Sequence, residues 1–262
     1  MTTPAKTPMP VLFIGHGSPM NTIEDNAFHR SWASLAGQLP RPAAILCISA
    51  HWESRGVFVS TGERPPTIHD FYGFPKALFE VQYPAPGAPE LAARIQSRLS
   101  DFGVQPDSRR GFDHGAWSVL APMYPQADIP LVELSLDTGQ PGSFHLELAL
   151  ALDFLREEGV LILASGNIVH NLSLFDFHNP KPLGWANRFN QRIREAVETG
   201  DLQTLARPHA LGDDGRLAVP TAEHYLPLLY AAGLRRPGEP VAFFNETVLG
   251  SISMSSVIVG DY

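Results

Sequence analysis

The strongest constraint on this chain is a recurrence of short, unbroken apolar runs that stop at small residues and hand over to a histidine. Val11–Ile14 ends at Gly15 and His16, Ala43–Ser49 leads through Ala50 to His51, and Val160–Ala164 leads through Ser165, Gly166 and Asn167 to His170. Such runs, with no polar residue at every second position, are what a strand needs when both faces of its sheet are covered. In an open α/β sheet, ligands bind outside the carboxyl ends of the strands. Three of the ten histidines therefore fall at the edge where a site belongs.

The segments between the runs read as helices. Phe28, Trp32 and Leu35 share a face within residues 25–39, which Pro40 and Pro42 terminate. Residues 89–102 carry Pro at the start, an apolar stripe of Leu91, Ile95 and Leu99, and Gly103 at the stop. Helices are also expected over 143–158, ending at Gly159, over 184–198, and over 222–232 with Glu223 and His224 in the first turn. Further strands are expected at 56–60, 129–136, 241–244 and 251–259, and loops at 62–86 and 211–219. The first of these loops holds Phe71, Tyr72 and Phe74, which suit an ordered wall over a site. The expected fold is α/β: a single domain over residues 1–262, with a central, mostly parallel or mixed sheet covered by helices on both faces. Residues 1–10 read as a loose N-terminal tail.

Composition narrows the function. A net charge of −8 argues against a nucleic-acid partner. The single cysteine, Cys47, lies inside an apolar run and reads as a buried, inert thiol. The polar, proline-rich start precedes only four apolar residues, and no segment reaches the length of a membrane span, so the expected location is the cytoplasm. The P-loop, dinucleotide-binding, nucleophile-elbow and HExxH patterns do not occur.

His16, His51 and His170 are too far apart in sequence for a zinc-finger module but suit a site assembled from strand ends. Neutral imidazole is a good ligand for both zinc and Fe(II). Glu223 would complete a two-His-one-carboxylate triad, and His224 an all-histidine set; helical periodicity leaves both open. His114, between Asp113 and Gly115, suits acid/base work in a tight pocket, and His69 is a weaker candidate of the same type. Trp52, Trp117, Phe71 and Tyr72 could line a flat aromatic pocket. His29, His145, His178 and His209 have surface or structural contexts.

Five blocks then stand in order: GHGSP at 15–19, SAHW at 49–52, FDHGAW at 112–117, GNIVHN at 166–171 and PTAEHYLPLLY at 220–230. Together they resemble the LigB-type, class III extradiol ring-cleavage dioxygenases, and within these the DOPA 4,5-dioxygenase-like subgroup. The resemblance implies a catechol cleaved beside one hydroxyl with O₂, giving a muconic semialdehyde. It implies non-haem Fe(II) for activity, with Zn(II) as another metal that members hold. By motif it makes His16, His51 and His224 metal ligands, with Glu223 the alternative because the wider class uses a glutamate. His170 becomes an acid/base group beside the metal or a further ligand when no substrate is bound, and His114 a histidine near the substrate. The implied partners are a small catechol and O₂, in a monomer or small homo-oligomer, with neither nucleic acid nor membrane. Two other readings of the same sheet edge are a zinc-dependent hydrolase and a metal-binding interaction module without catalysis.

Overall fold

A computed structural model describes residues 7–262. In chain order its elements are β1 (Val11–Gly15), α1 (Ala27–Ala36), β2 (Ala44–Ser54), β3 (Phe58–Ser60), α2 (Lys76–Phe79), α3 (Pro89–Arg98), β4 (Gln105–Asp107) and α4 (His114–Met123). There follow β5 (Leu131–Asp137), α5 (Gly142–Ala151), α6 (Phe154–Glu157), β6 (Val160–Gly166), α7 (Gly184–Thr199), α8 (Leu202–Leu205), α9 (Asp213–Ala218) and α10 (Leu226–Gly233). The chain closes with β7 (Val241–Phe244), β8 (Val248–Leu249), β9 (Ile252–Ser253) and β10 (Ser256–Val259).

Eight strands form one mixed sheet in the order β4-β3-β5-β2-β6-β1-β10-β7. Its centre, β5-β2-β6-β1, is parallel throughout, so these four strands present their carboxyl ends to one edge. β10 runs antiparallel to both β1 and β7 on one flank, and β3 runs antiparallel to β5 on the other. The unbroken apolar runs are explained by the two layers they feed. Val11, Phe13, Leu46, Ile48, Ile162 and Ala164 face a core completed by residues of α3, α5, α7 and α10. Their neighbours Leu12, Ile14, Ile45, Cys47, Leu161 and Leu163 face the opposite core, completed by Trp32 and Leu35 of α1 and Trp117 and Leu120 of α4. Alternate side chains enter opposite cores because strand side chains alternate faces. The expected single α/β domain with helices on both faces is what forms.

Local differences have identifiable causes. The tail packs earlier than expected: residues 1–6 lie outside the described residues, but Met9 is buried and exchanges two hydrogen bonds with Arg156, from Met9 N to the Arg156 carbonyl at 2.9 Å and from Arg156 Nε to the Met9 carbonyl at 2.8 Å. The loop 211–219 contains the short helix α9, and the helix expected over 143–158 divides at Leu152–Asp153 into α5 and α6. The last expected strand divides into β9 and β10, and β4 has no apolar signature because its three residues lie at the sheet edge. Among the described residues no helix is long and apolar enough to cross a membrane.

Candidate metal centre

The parallel centre of the sheet delivers the histidines to one place. His16 follows the last residue of β1, and its N–H donates to the Gly166 carbonyl at the end of β6 at 3.0 Å. His51 does not lie beyond β2, as its sequence context suggests, but inside it. Ile48 pairs with Leu134 and Glu53 with Leu136, so four residues, Ser49 to Trp52, stand opposite Ser135 alone. This bulge turns His51 out of the ladder toward His16, the use to which active sites commonly put bulges. Gly115 makes room for it: a Cβ there would overlap Ser49 Oγ and lie 2.9 Å from His51 Cδ2.

His224 arrives differently. Glu223 and His224 belong to a turn that precedes α10, which starts at Leu226, so the helix-face argument does not apply to them. The turn is fixed by its backbone, since the His224 carbonyl accepts from Asn167 N–H at 2.7 Å. Gly166 permits that approach, because a Cβ on it would overlap the His224 carbonyl oxygen. His16, His51 and His224 thus place one ring nitrogen each within 4.8 Å of the others. His170 lies flat on His224, with ring centroids 3.5 Å apart and planes 7° from parallel. His114 opens α4 and sits 3.7 Å from the His51 ring, centroid to centroid. Five of the six candidate histidines read from the sequence, His16, His51, His114, His170 and His224, therefore share one cluster.

Hydrogen bonds orient the rings. Ser165 Oγ donates its only proton to the Gly115 carbonyl at 2.6 Å, so its contact with His16 Nδ1 at 2.9 Å is a bond in which the imidazole N–H donates. His16 Nε2 is then unprotonated. His224 Nδ1 lies 2.9 Å from Glu223 Oε1, a carboxylate that only accepts, which leaves His224 Nε2 bare. His51 Nδ1 faces Asp70 Oδ2 at 3.5 Å and turns Nε2 toward His16 Nε2 at 3.3 Å. Outer partners of this kind fix the tautomer of metal-binding histidines. Metal–nitrogen distances of about 2.0–2.1 Å put tetrahedrally arranged nitrogens about 3.3 Å apart, so the pair fits a shared cation. Glu223 also accepts from Thr221 Oγ1 at 2.9 Å. In this arrangement its carboxylate braces the His224 ring.

The electrostatics agree. Burial pushes the His16 and His224 imidazoles well below their ordinary range, and neighbouring histidines add to the effect. Burial likewise takes His51 down to about 3 and His170 to about 4. Neutral imidazoles held together at pH 7 are the form a metal needs.

Beneath the cluster lies a buried charge network. The Arg110 guanidinium meets Asp113 Oδ2 and Glu133 Oε2, reaches the His51 carbonyl at 3.4 Å and stacks on Trp52 at 4.8 Å. Asp113 caps α4 through Ala116 N and accepts from Ser49 Oγ at 2.6 Å, joining the bulge to the helix that begins at His114. Trp52 is therefore a platform for Arg110 rather than a pocket wall. Trp117 is buried, donating Nε1–H to the Ile68 carbonyl at 2.8 Å. Tyr72 is 92% exposed, whereas Phe71 stands edge-on 5.5 Å from His114 and supplies the aromatic wall. His69 holds the Val81 carbonyl at 2.9 Å, and His145 is buried against Tyr230; neither joins the cluster. Cys47 is buried in the core, where burial pushes its thiol up. Asp70 is the participant that the sequence did not flag. It lies in the irregular loop 62–86, and its only signal is its place beside His69 in an aromatic-rich stretch.

Comparison with known proteins bears on this geometry. Residues 7–239 match the family model of the catalytic LigB subunit of aromatic ring-opening dioxygenase. The chain belongs to the LigB family of extradiol ring-opening dioxygenases. It is 47% identical over 261 residues to the 4,5-DOPA dioxygenase extradiol of Escherichia coli K12, covering 98% of this chain and 96% of that one. It is 40% identical to the 4,5-DOPA dioxygenase extradiol of Beta vulgaris, covering 84% and 85% of the two chains. A crystal structure of an uncharacterized protein from Escherichia coli K12 superposes with a TM-score of 0.85 at 43% identity, covering 96% of this chain and all of that one. The family supplies the reaction type, ring opening of an aromatic substrate, and the histidine cluster lies where the parallel strands of this member end.

Proposed function

We propose that this family member cleaves a DOPA-like catechol beside one of its hydroxyls, using a divalent non-haem metal held by His16, His51 and His224. The observation that carries the reading is the convergence of three imidazoles whose outward nitrogens are occupied by Ser165, Asp70 and Glu223. The DOPA-like substrate rests on the relatives from Escherichia coli and Beta vulgaris. Iron is the metal proposed for turnover, since two or three imidazoles with open positions suit Fe(II) oxygenases, while zinc fits the same nitrogens.

When bound, the metal supplies a Lewis acid that acidifies a catechol hydroxyl and a route for electrons between the ring and O₂. The chain's own groups do the rest. His170, neutral because burial lowers it to about 4, takes the second hydroxyl proton at a ring nitrogen. Its face-to-face stack on His224 keeps that nitrogen beside the metal-binding ring. His114 donates Nδ1–H to Asp70 and directs its other nitrogen into the cluster, where it orients the substrate. Phe71 gives the catechol an apolar edge to lie against. Both atoms of O₂ end in the ring-opened semialdehyde, so no outside reductant is consumed.

The test is an O₂-electrode screen of protein reconstituted with Fe(II) under argon, offered DOPA, dopamine, protocatechuate and unsubstituted catechol. The expected outcome is O₂ uptake with a yellow product, fastest with a DOPA-like side chain. Anaerobic cleavage of esters or amides by the zinc-loaded protein, with no uptake on any catechol, would replace this reading by a hydrolase.

A further inference from the structure

Loop 62–86 has almost no regular structure, yet it is tied at several points to the segment that carries His114. Ile68 N–H donates to the Phe112 carbonyl at 2.7 Å, Phe112 N–H donates to the Pro66 carbonyl at 2.8 Å, and Trp117 Nε1–H donates to the Ile68 carbonyl at 2.8 Å. These bonds set the position of Asp70, two residues past Ile68. Its Oδ1 accepts from both the backbone N–H and the Nδ1–H of His114, at 3.1 and 2.9 Å. Its Oδ2 faces His51 Nδ1 at 3.5 Å. The two imidazoles lie between the carboxylate and the centre of the cluster, 3.7 Å apart at an interplanar angle of 42°.

We infer that Asp70 is a positioning residue that holds a metal-binding histidine, His51, and a substrate-side histidine, His114, with its two carboxylate oxygens, so that loop 62–86 fixes the spacing of two functional groups at once. The inference rests on the metal-centre reading above. A carboxylate has no proton to offer, so His114 presents Nδ1–H to it at hydrogen-bond distance, and the negative charge 3.5 Å from His51 Nδ1 favours the same tautomer there, with Nε2 turned inward in both. His51 then has its lone pair on the side of His16, and His114 has its free nitrogen on the side of the substrate. Loss of outer partners of this kind typically costs 10–100-fold in metal affinity or activity. Asparagine at position 70 is nearly isosteric but has one acceptor oxygen. Since His114 offers it two donors, the oxygen stays there and the amide NH₂ is left against the N–H of His51. Asp70→Asn should therefore loosen His51 more than His114, whereas Asp70→Ala should loosen both.

The experiment titrates apo wild type, Asp70→Asn and Asp70→Glu with Zn(II) against a chelator, and measures kcat and KM of the Fe(II)-loaded forms. Asp70→Asn is expected to raise the zinc Kd roughly 10–100-fold and to lower kcat at saturating metal, with KM changing less than about threefold on the same basis. Asp70→Glu, which keeps the charge, should recover part of the affinity. In parallel, long-range ¹H–¹⁵N spectra of the apo wild type should show His51 and His114 protonated at Nδ1, a reading that requires no variant to fold. A zinc Kd and kcat in Asp70→Asn equal to wild type, or either histidine carrying its proton at Nε2 alone, would overturn the assignment while leaving the metal centre intact. Failure of the wild type to bind zinc would instead bring down the metal-centre reading, and the role of Asp70 with it.

Discussion

His16 and His51 face each other Nε2 to Nε2 at 3.3 Å, and the His16 nitrogen has no proton to give. The His16 proton is committed to Ser165 and that of His51 is turned toward Asp70. With the His51 proton on the Asp70 side the two Nε2 lone pairs meet, a poor contact in the absence of a cation and a good one around it.

The first prediction follows directly. His16→Ala, His51→Ala and His224→Ala should each abolish stoichiometric metal, because each removes one of three converging nitrogens. His170→Ala should keep most of the metal and lose turnover, since its ring stacks on His224 and lies outside the His16–His51–His224 set. Glu223→Gln should retain metal with affinity lowered roughly 10–100-fold, the cost of a weakened outer partner. Elemental analysis of the five purified variants checks all of these, and retained metal in His224→Ala with loss in Glu223→Gln would exchange the roles of the two neighbours.

The second prediction concerns pH. Burial lowers the folded-state pKa of His16, His51, His145, His170 and His224 below the ordinary 6.5, to about 3 for His51 and about 4 for His145 and His170. The unfolded chain therefore takes up protons first as the pH falls. The stability these groups contribute is complete above about 6.5 and is lost as the pH falls toward 4 and 3. Each histidine contributes a slope of up to about 1.4 kcal/mol per pH unit in that window. Thermal melts of the apo protein between pH 7 and 4 should fall steeply, and added zinc should raise the melting temperature most at the upper end, where protons compete least. A flat profile for the apo protein would contradict the burial of neutral histidines.

A third prediction separates charge from shape beneath the site. Asp113 and Glu133 are fully buried with Arg110 as their common cation, and burial first, then their mutual repulsion, raises Glu133 well above the carboxylate range. Arg110→Met leaves two carboxylates without a partner and should cost about 3–5 kcal/mol. Glu133→Gln removes the surplus negative charge and should cost far less. Urea denaturation of the two variants gives the comparison, and equal losses would mean that the network acts by packing alone.

These residues also show what the sequence made legible. The apolar runs at β1, β2 and β6 announce a doubly covered parallel sheet because period-2 side chains feed two cores at once, and the histidines after them announce the edge. The bulge that turns His51 inward leaves no such trace, since Ser49 to Trp52 read as the end of a strand and not as its interior. Glu223 and His224 were ambiguous for a similar reason. A predicted helix put them about 100° apart, whereas the turn before α10 lets one brace the other. Asp70 was invisible because its role depends on a loop path fixed by hydrogen bonds to Phe112 and Trp117, which no periodicity encodes.

A fourth prediction uses the tight contact behind His51. Gly115→Ala places a methyl group against Ser49 Oγ and the His51 ring in a helix where alanine is otherwise the better residue. The variant should stay helical by circular dichroism while losing metal affinity and activity together, the outcome expected if the displaced His51 ring holds the metal. Unchanged metal binding would show that the bulge has room to relax.

Ring opening at the histidine cluster is decided by the stoichiometry of O₂ uptake by the Fe(II)-loaded wild type against His51→Ala treated in the same way. One O₂ should be consumed for each DOPA-like catechol, with a visible-absorbing ring-opened product and no uptake by the variant. Loaded wild type that consumes no O₂ with any catechol, or a variant that turns over at the wild-type rate, would contradict ring opening there.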